Sequence, residues 1–462
     1  MRKSLDVVRE YVPLNILSII GFAGFVLQAA IYYPGQVYRD VWWEYLNALH
    51  GSFGDLHPPI MALFWELQIV LLRTANVLYI TNLAMYWLAF YLVLQHWPQR
   101  RLATLVLLTL GFAPFSFPAL GIVLTDVGVA GSAMLACALI LDAQFRSITL
   151  SRKRGVMIGV LLFYATFLRH NAPFLTAPLI MLALGRWNRL ISWQPIVAIG
   201  LTLLLIGFAP VLNRGIIRAS NDHSSRQLMI YDLAGISNRS RSNRIPGNWT
   251  DLEIRQILEN CYSEKQWDAY APWGKCSFVT AQVDNDALPG AWIRAIAQRP
   301  LLYAEHRLAN FNYFMNFIGE PWAPWGSWQY LPGYSGDKVI PDAPAYKALR
   351  SLYYGAPTAI WYMPYFWLSL NLAVFIMTSD MHDRFKRAAN AMATASLLYL
   401  TTYLLFNINS HFRYAYPAIA LCCLAIVTLI TARLLKIDTP YTQLQKWLLV
   451  IPAAIIAVGV IF

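Results

Sequence analysis

Long apolar runs recur along this chain, and nothing else in the sequence constrains its fold so strongly. A helix needs about 20 predominantly apolar residues to cross a bilayer. Runs approaching that length lie near residues 13–33, 77–95, 102–117, 127–144, 156–171, 173–185, 195–212, 356–378, 388–406, 415–433 and 446–462. Inside hydrocarbon no water satisfies the backbone, so each run must close its own hydrogen bonds as a helix. Composition points the same way. The 462 residues are 58% hydrophobic and 13% charged, whereas soluble domains are about a quarter charged. The expected fold class is therefore an all-α polytopic membrane protein of about eleven transmembrane helices. The first run follows a charged N-terminus without a small-residue cleavage site, and it reads as a retained span.

Charge orients the spans. Lys and Arg concentrate in short cytoplasmic loops. Here Arg2 and Lys3, Arg100 and Arg101, Arg146 with Arg152, Lys153 and Arg154, Arg186 and Arg189, Lys386 and Arg387, and Arg433 with Lys436 all fall on one side under strict alternation. That places the N-terminus in the cytoplasm and puts 34–76, 117–126, 213–355 and 407–414 on the opposite, periplasmic side of a bacterial inner membrane. Residues 58–73 are apolar too, but they contain Glu66, Gln68 and Arg73, and counting them as a span would invert every later loop. They are read as a helix in the outer interface. The net charge of +12 sits mainly in these loops. It fits orientation in a bilayer, and no nucleic-acid signature accompanies it.

Three modules follow: 1–212, transmembrane and carrying outer loop 34–76; 213–355, polar and rich in Asn, Ser, Asp and Trp, a small mixed or α-helical periplasmic domain; and 356–462, the C-terminal transmembrane helices. Within the polar module Cys261 and Cys276 are 15 positions apart. They read as a disulfide in an oxidising compartment or as two free thiols. Residues Ala291 to Phe317 alternate apolar and basic groups at helical spacing, as a helix on a membrane surface does.

Ionisable groups near or inside a membrane are costly and mark functional sites. Five constellations gather on the outer side. Asp40 follows a Pro34-Gly35 turn, with Glu44 one helical turn on as a possible second acid; taken alone, Asp40 reads first as a helix cap. Asp55 and His57 flank a turn before Pro58-Pro59 and pair a carboxylate with an imidazole, or serve as cap and interfacial residue. Asp126 opens the fourth span, where an acid also suits the helix dipole. Arg169, His170 and Asn171 close the fifth and suit a phosphate, or snorkel to the interface. His411 and Arg413 occupy a short outer loop where a cation is unexpected, which favours an anionic partner. Walker, nucleophile-elbow and HExxH sequences are absent.

The stretch Phe53-Gly54-Asp55-Leu56-His57-Pro58-Pro59, with Asp40 upstream, resembles the first outer loop of the GT-C superfamily of polytopic glycosyltransferases. It is similar to that of protein O-mannosyltransferases and their bacterial relatives, the aminoarabinose transferases among them. The likeness is strong over 34–65 and weaker through the first seven spans, where Thr125-Asp126-Val127 and Leu168-Arg169-His170-Asn171 also look alike. Val41 stands where many members carry a second acid. The resemblance implies transfer of a sugar, with inversion, from a polyprenyl-phosphate donor to a glycan, glycolipid or protein acceptor. It implies Asp40 as general base and Asp55, His57, Asp126, Arg169, His170, Asn171, His411 and Arg413 as substrate-binding residues. The resemblance fixes no cofactor, since some members need a metal and others do not; Asp40, Asp55 and His57 could hold a divalent ion, but that is not the favoured chemistry. The rival expectations are a transporter or flippase for a lipid-linked sugar or other anion, and an O-antigen polymerase or ligase.

Overall fold

The computed structural model describes residues 15–37, 39–188, 193–319 and 359–461. Among them regular structure is helical, with three isolated β-bridges and no strand. The helices are α1 (Ile16–Tyr32), α2 (Arg39–His50), α3 (Ile60–Leu72), α4 (Val77–Leu94), α5 (Arg100–Gly111), α6 (Phe117–Leu120), α7 (Thr125–Phe145), α8 (Arg152–Phe167), α9 (Ala172–Ala183) and α10 (Gln194–Pro210), then α11 (Ser225–Ser240), α12 (Asp251–Gln256), α13 (Ser277–Gln282), α14 (Leu288–Gln298) and α15 (Pro300–Met315). The chain returns as α16 (Pro364–Met377), α17 (Arg384–Phe406), α18 (Tyr416–Leu434), α19 (Gln443–Leu448) and α20 (Val450–Ile461). Among the described residues six segments are long and apolar enough to cross a membrane: Val77–Leu94, Thr125–Phe145, Gln194–Ile216, Arg384–Phe406, Phe412–Leu434 and Gln443–Ile461. This is the architecture of a helical membrane protein.

Helix α7 is the axis of the bundle. Every residue from Asp126 to Ala143 is buried, against α4, α8 and α18. Its sequence explains this, because Gly128, Ala130, Gly131, Ser132, Ala133 and Ala136 let neighbouring backbones approach. A Cβ on Gly131 would lie 3.3 Å from the Asn82 carbonyl of α4. Helices α10 and α20 sit at the opposite extreme. Ile196, Ile199, Leu203 and Leu204 on α10, and Val450 and Ile461 on α20, are exposed with no protein to cover them. Such a surface is stable only with lipid as solvent.

At one end of the bundle the cationic loops meet. Asp142, 1% exposed, accepts from His96 at 3.0 Å, Arg146 at 2.8 Å and Gln95 at 3.0 Å, and pairs with Arg154 at 3.2 Å. These bonds join α4, α7 and α8. At the opposite end lie the long connections. Helices α1 and α4 run antiparallel, Ser18 Oγ meeting Tyr91 Oη at 3.0 Å and Tyr79 Oη donating to the Gln28 carbonyl at 3.1 Å. Asn76 donates to Tyr33 Oη at 2.6 Å, so residues 33 and 76 lie at the same end. Helix α3, between them, carries the chain across nothing.

The segment after α10 folds around its own core, with Ile230, Tyr231, Ala234, Ile257, Tyr270 and Val279 at its centre. Helix α10 continues through a π-helical turn, Val211–Ile216, because apolar Val211, Leu212 and Ile216 extend the run past Asn213 and Arg214. Residues 320–358 of the polar module and of the following run lie outside the described residues. Cys261 and Cys276 are joined by a disulfide, while Cys137, Cys422 and Cys423 are buried free thiols.

An ionic centre lies inside this insertion. Asp232 and His306, both 0% exposed, stand 3.1 Å apart, and Arg307 reaches Asp232 at 2.5 Å. Burial pushes the Tyr262 phenol up to about 12, and its oxygen lies 2.7 Å from His306 Nδ1. Burial also lowers the His306 pKa, leaving a neutral ring whose Nε2–H faces Asp232. The insertion grips the bundle through Arg307, which donates to the Asn407 carbonyl at 2.7 Å. A backbone bridge adds to this: Trp267 N donates to the Ile408 carbonyl at 2.9 Å and Ser410 N to the Lys265 carbonyl at 3.0 Å.

Candidate functional site

A cavity of about 480 Å³ opens at the end of the bundle that carries the insertion. Residues from opposite ends of the sequence wall it: Glu44 on α2, His57 before α3, Asp126 at the start of α7, Arg169 to Asn171 between α8 and α9, and Arg413 before α18. These are six of the eight substrate-binding residues expected from the sequence, together with the candidate second acid. Asp40 occupies the turn of α2 before Glu44, and its side chain lies outside the described residues.

Several wall residues meet partners from distant parts of the chain. Asp126, 1% exposed, receives Arg169 Nη1 at 2.5 Å. The Arg169 guanidinium also lies over the Tyr414 ring, 4.8 Å from its centre, and the Arg413 guanidinium lies 5.1 Å from the same centre. Tyr414 in turn stacks on Tyr403 of α17, 7° from parallel. One aromatic ring thus brings two guanidiniums, 244 positions apart in sequence, to a single wall. His170 Nε2 meets the Leu56 carbonyl at 3.2 Å, and Asn171 donates to Thr402 of α17 at 3.0 Å.

Two expected residues stand outside the cavity. Asp55, 5% exposed, turns away into a clasp with the segment after α10. Its Oδ2 accepts from Arg214 Nε at 2.7 Å, and its Oδ1 accepts from the Asp222 N–H at 2.7 Å. Asp222 accepts from Leu56 N at 3.3 Å, and Asp55 N donates to the Ser220 carbonyl at 3.1 Å. His411 packs edge-on against Tyr414 and belongs to the wall's support. Among the described residues no group of three His, Cys, Asp or Glu is placed to hold a metal ion.

Sequence reasoning passed over Arg214, Asp222, Tyr403, Tyr414 and the start of α11. Arg214 carried a usable signal, since under the expected alternation it falls on the side away from the basic loops, as Arg413 does.

The arrangement is amphipathic. Ionic groups occupy one flank, and Phe174, Ile206 and Phe406 occupy another. Phe406 is 49% and Ile206 37% exposed, so the apolar flank runs out onto the uncovered surface of the bundle. Paired guanidiniums bind phosphate oxygens well, and an apolar flank open to lipid accepts a hydrocarbon chain. No protein-family model, curated protein or solved structure matches this chain.

Proposed function

We propose that this protein is a membrane glycosyltransferase. In this reading eleven helices cross the bacterial inner membrane, the cationic end faces the cytoplasm, and the cavity opens to the periplasm. The observation that carries the proposal is the cavity itself: Arg169 and Arg413 share one ring beside Glu44 and Asp126, and an apolar flank leads to the lipid-facing surface. A sugar linked through phosphate to a polyprenyl chain presents the complementary pattern.

Asp40 is assigned as the general base. It takes the proton from an acceptor hydroxyl or amine, the acceptor atom bonds to the anomeric carbon, and the carbon–oxygen bond to phosphate breaks with inversion. The polyprenyl phosphate leaves with the bonding electrons. Arg169 and Arg413 stabilise the charge that develops on it, as preorganised cations in a water-poor site do. The pairing of Asp126 with Arg169 fixes one cation in place, and Glu44 stands one turn from the base.

The test is transfer in proteoliposomes, with mass analysis of surface glycans from cells with and without the gene. Asp40→Asn is expected to abolish transfer and retain donor binding. Arg413→Gln is expected to weaken binding of polyprenyl monophosphate by about tenfold or more, the loss of one or two charge-assisted bonds. Transport of lipid-linked sugar in sealed vesicles that survives Asp40→Asn, with unchanged glycans, refutes the transferase in favour of a transporter.

A further inference from the structure

The two halves of the cavity differ in chemistry. The bundle supplies all of its ionic groups, most of its apolar ones, and Thr125, Asn171, Asn407 and Asn409. The insertion supplies Ser224, Ser225, Gln227 and Leu228 at the start of α11, none of them charged. Gln227 lies three and four residues before Ile230 and Tyr231, which are both 0% exposed. Helical spacing therefore aligns it with the buried face of α11. An amide at that position, where the pattern calls for an apolar residue, faces the cavity. Among the described residues, no side-chain hydrogen bond engages Ser224, Ser225 or Gln227.

An amide offers two donors and an acceptor, and each hydroxyl offers one donor and two acceptors. A bare phosphate has only acceptors and would leave the wall's own acceptors unmatched. A ring bearing several hydroxyl groups matches both kinds. The wall is also rigidly placed. Ser220 N donates to the Phe53 carbonyl at 2.8 Å, and Asp222 N donates to Asp55 at 2.7 Å. These bonds fix the chain just before α11, and ligand groups held on fixed elements discriminate best.

Building on the reading that the bundle wall holds the phosphate of a lipid-linked sugar, we infer that Gln227, with Ser224 and Ser225, forms the subsite for the sugar ring and selects an uncharged, hydroxyl-rich one. The insertion is thus a specificity element. A site built to bond hydroxyls rejects a ligand lacking them, because its own polar groups are then left unpaired.

Binding to the full chain in nanodiscs tests this, with polyprenyl monophosphate and a panel of the same lipid carrying neutral hexoses, neutral pentoses or an amino sugar. The readout is the ratio of glycosylated to sugar-free affinity. At least one neutral sugar is expected to raise affinity about tenfold, the value of one or two neutral hydrogen bonds. The ratio should fall toward one in Gln227→Leu and in Ser224→Ala/Ser225→Ala. The subsite is overturned if no neutral sugar raises affinity, if the amino sugar gains most, or if the gain survives both variants. A Gln227-dependent gain with no binding of the sugar-free lipid keeps the subsite and overturns the phosphate assignment instead.

Discussion

Replacing Asp55 by Asn should loosen the clasp between the outer loop and the insertion without unfolding the bundle. The magnitude follows from the contacts. Asp55 takes two charge-assisted bonds, one from Arg214 Nε at 2.7 Å and one from the Asp222 N–H at 2.7 Å. Asparagine keeps one acceptor oxygen and turns its amide N–H groups toward a donor on the other side. Hydrogen bonds to charged groups contribute about 1.5–3 kcal/mol each. Arg214 is 47% exposed and regains water when released, so its bond deserves the lower values typical of exposed pairs. A net loss of about 1–2 kcal/mol raises the local opening equilibrium roughly 5–30-fold. Hydrogen–deuterium exchange reads this directly. The Asp55 and Ser220 amides, which cross-link residues 53–55 to 220, should exchange faster by that factor. Amides around Asp142, at the far end of the bundle, should be unchanged. Exchange at Asp55 and Ser220 that stays within twofold of wild type would show that the carboxylate does not hold the clasp.

Three further outcomes are expected. Cys261→Ser should cost the insertion about 3 kcal/mol, the value for a loop of some 15 residues, and limited proteolysis should then cut the insertion while α7 stays intact. His306 has a pKa lowered from 6.5 by burial, so the unfolded chain takes up a proton first as pH falls. Its contribution to the insertion's stability is therefore full above pH 6.5 and lost below it; exchange within α11 and α15 should rise as pH falls below 6.5, and His306→Gln should flatten that rise. Gly111→Ala would place a Cβ 2.3 Å from Cζ2 of Trp87, which is itself held by Gln28 at 2.8 Å. Overpacking of this kind costs about 1–3 kcal/mol, and thermal unfolding in detergent should show it; an unchanged midpoint would mean α1, α4 and α5 repack freely.

Much of the fold is legible in the sequence because membrane insertion acts on local properties. Run length sets which segments become apolar helices, and all eleven runs contain a described helix. Glu66 inside 58–73 and Arg73 at its end mark α3 as different in kind, and the antiparallel pairing of α1 with α4 puts both ends of the 33–76 connection at one end of the bundle. The cavity is legible in part. Asp126, Arg169 and Arg413 stand out because charge at a membrane boundary is expensive wherever it occurs. The pairing of Asp55 with Arg214 was not legible, since a carboxylate beside an imidazole says nothing about which of them a distant arginine will claim.

The sequence by itself determined the helices, their approximate limits, the side on which basic loops gather, and the short list of ionisable groups near the boundary. Each of these depends on composition within one or two turns of chain. Only the tertiary structure decided which groups share a cavity. It turned Asp55 toward Arg214, 159 positions away, and set Arg169 and Arg413 on one tyrosine. It also brought Gln227 to the wall of the same cavity. The reason is physical: a side chain's partner is chosen by how the helices pack and where the insertion docks, and a local pattern carries no record of what lies across the bundle.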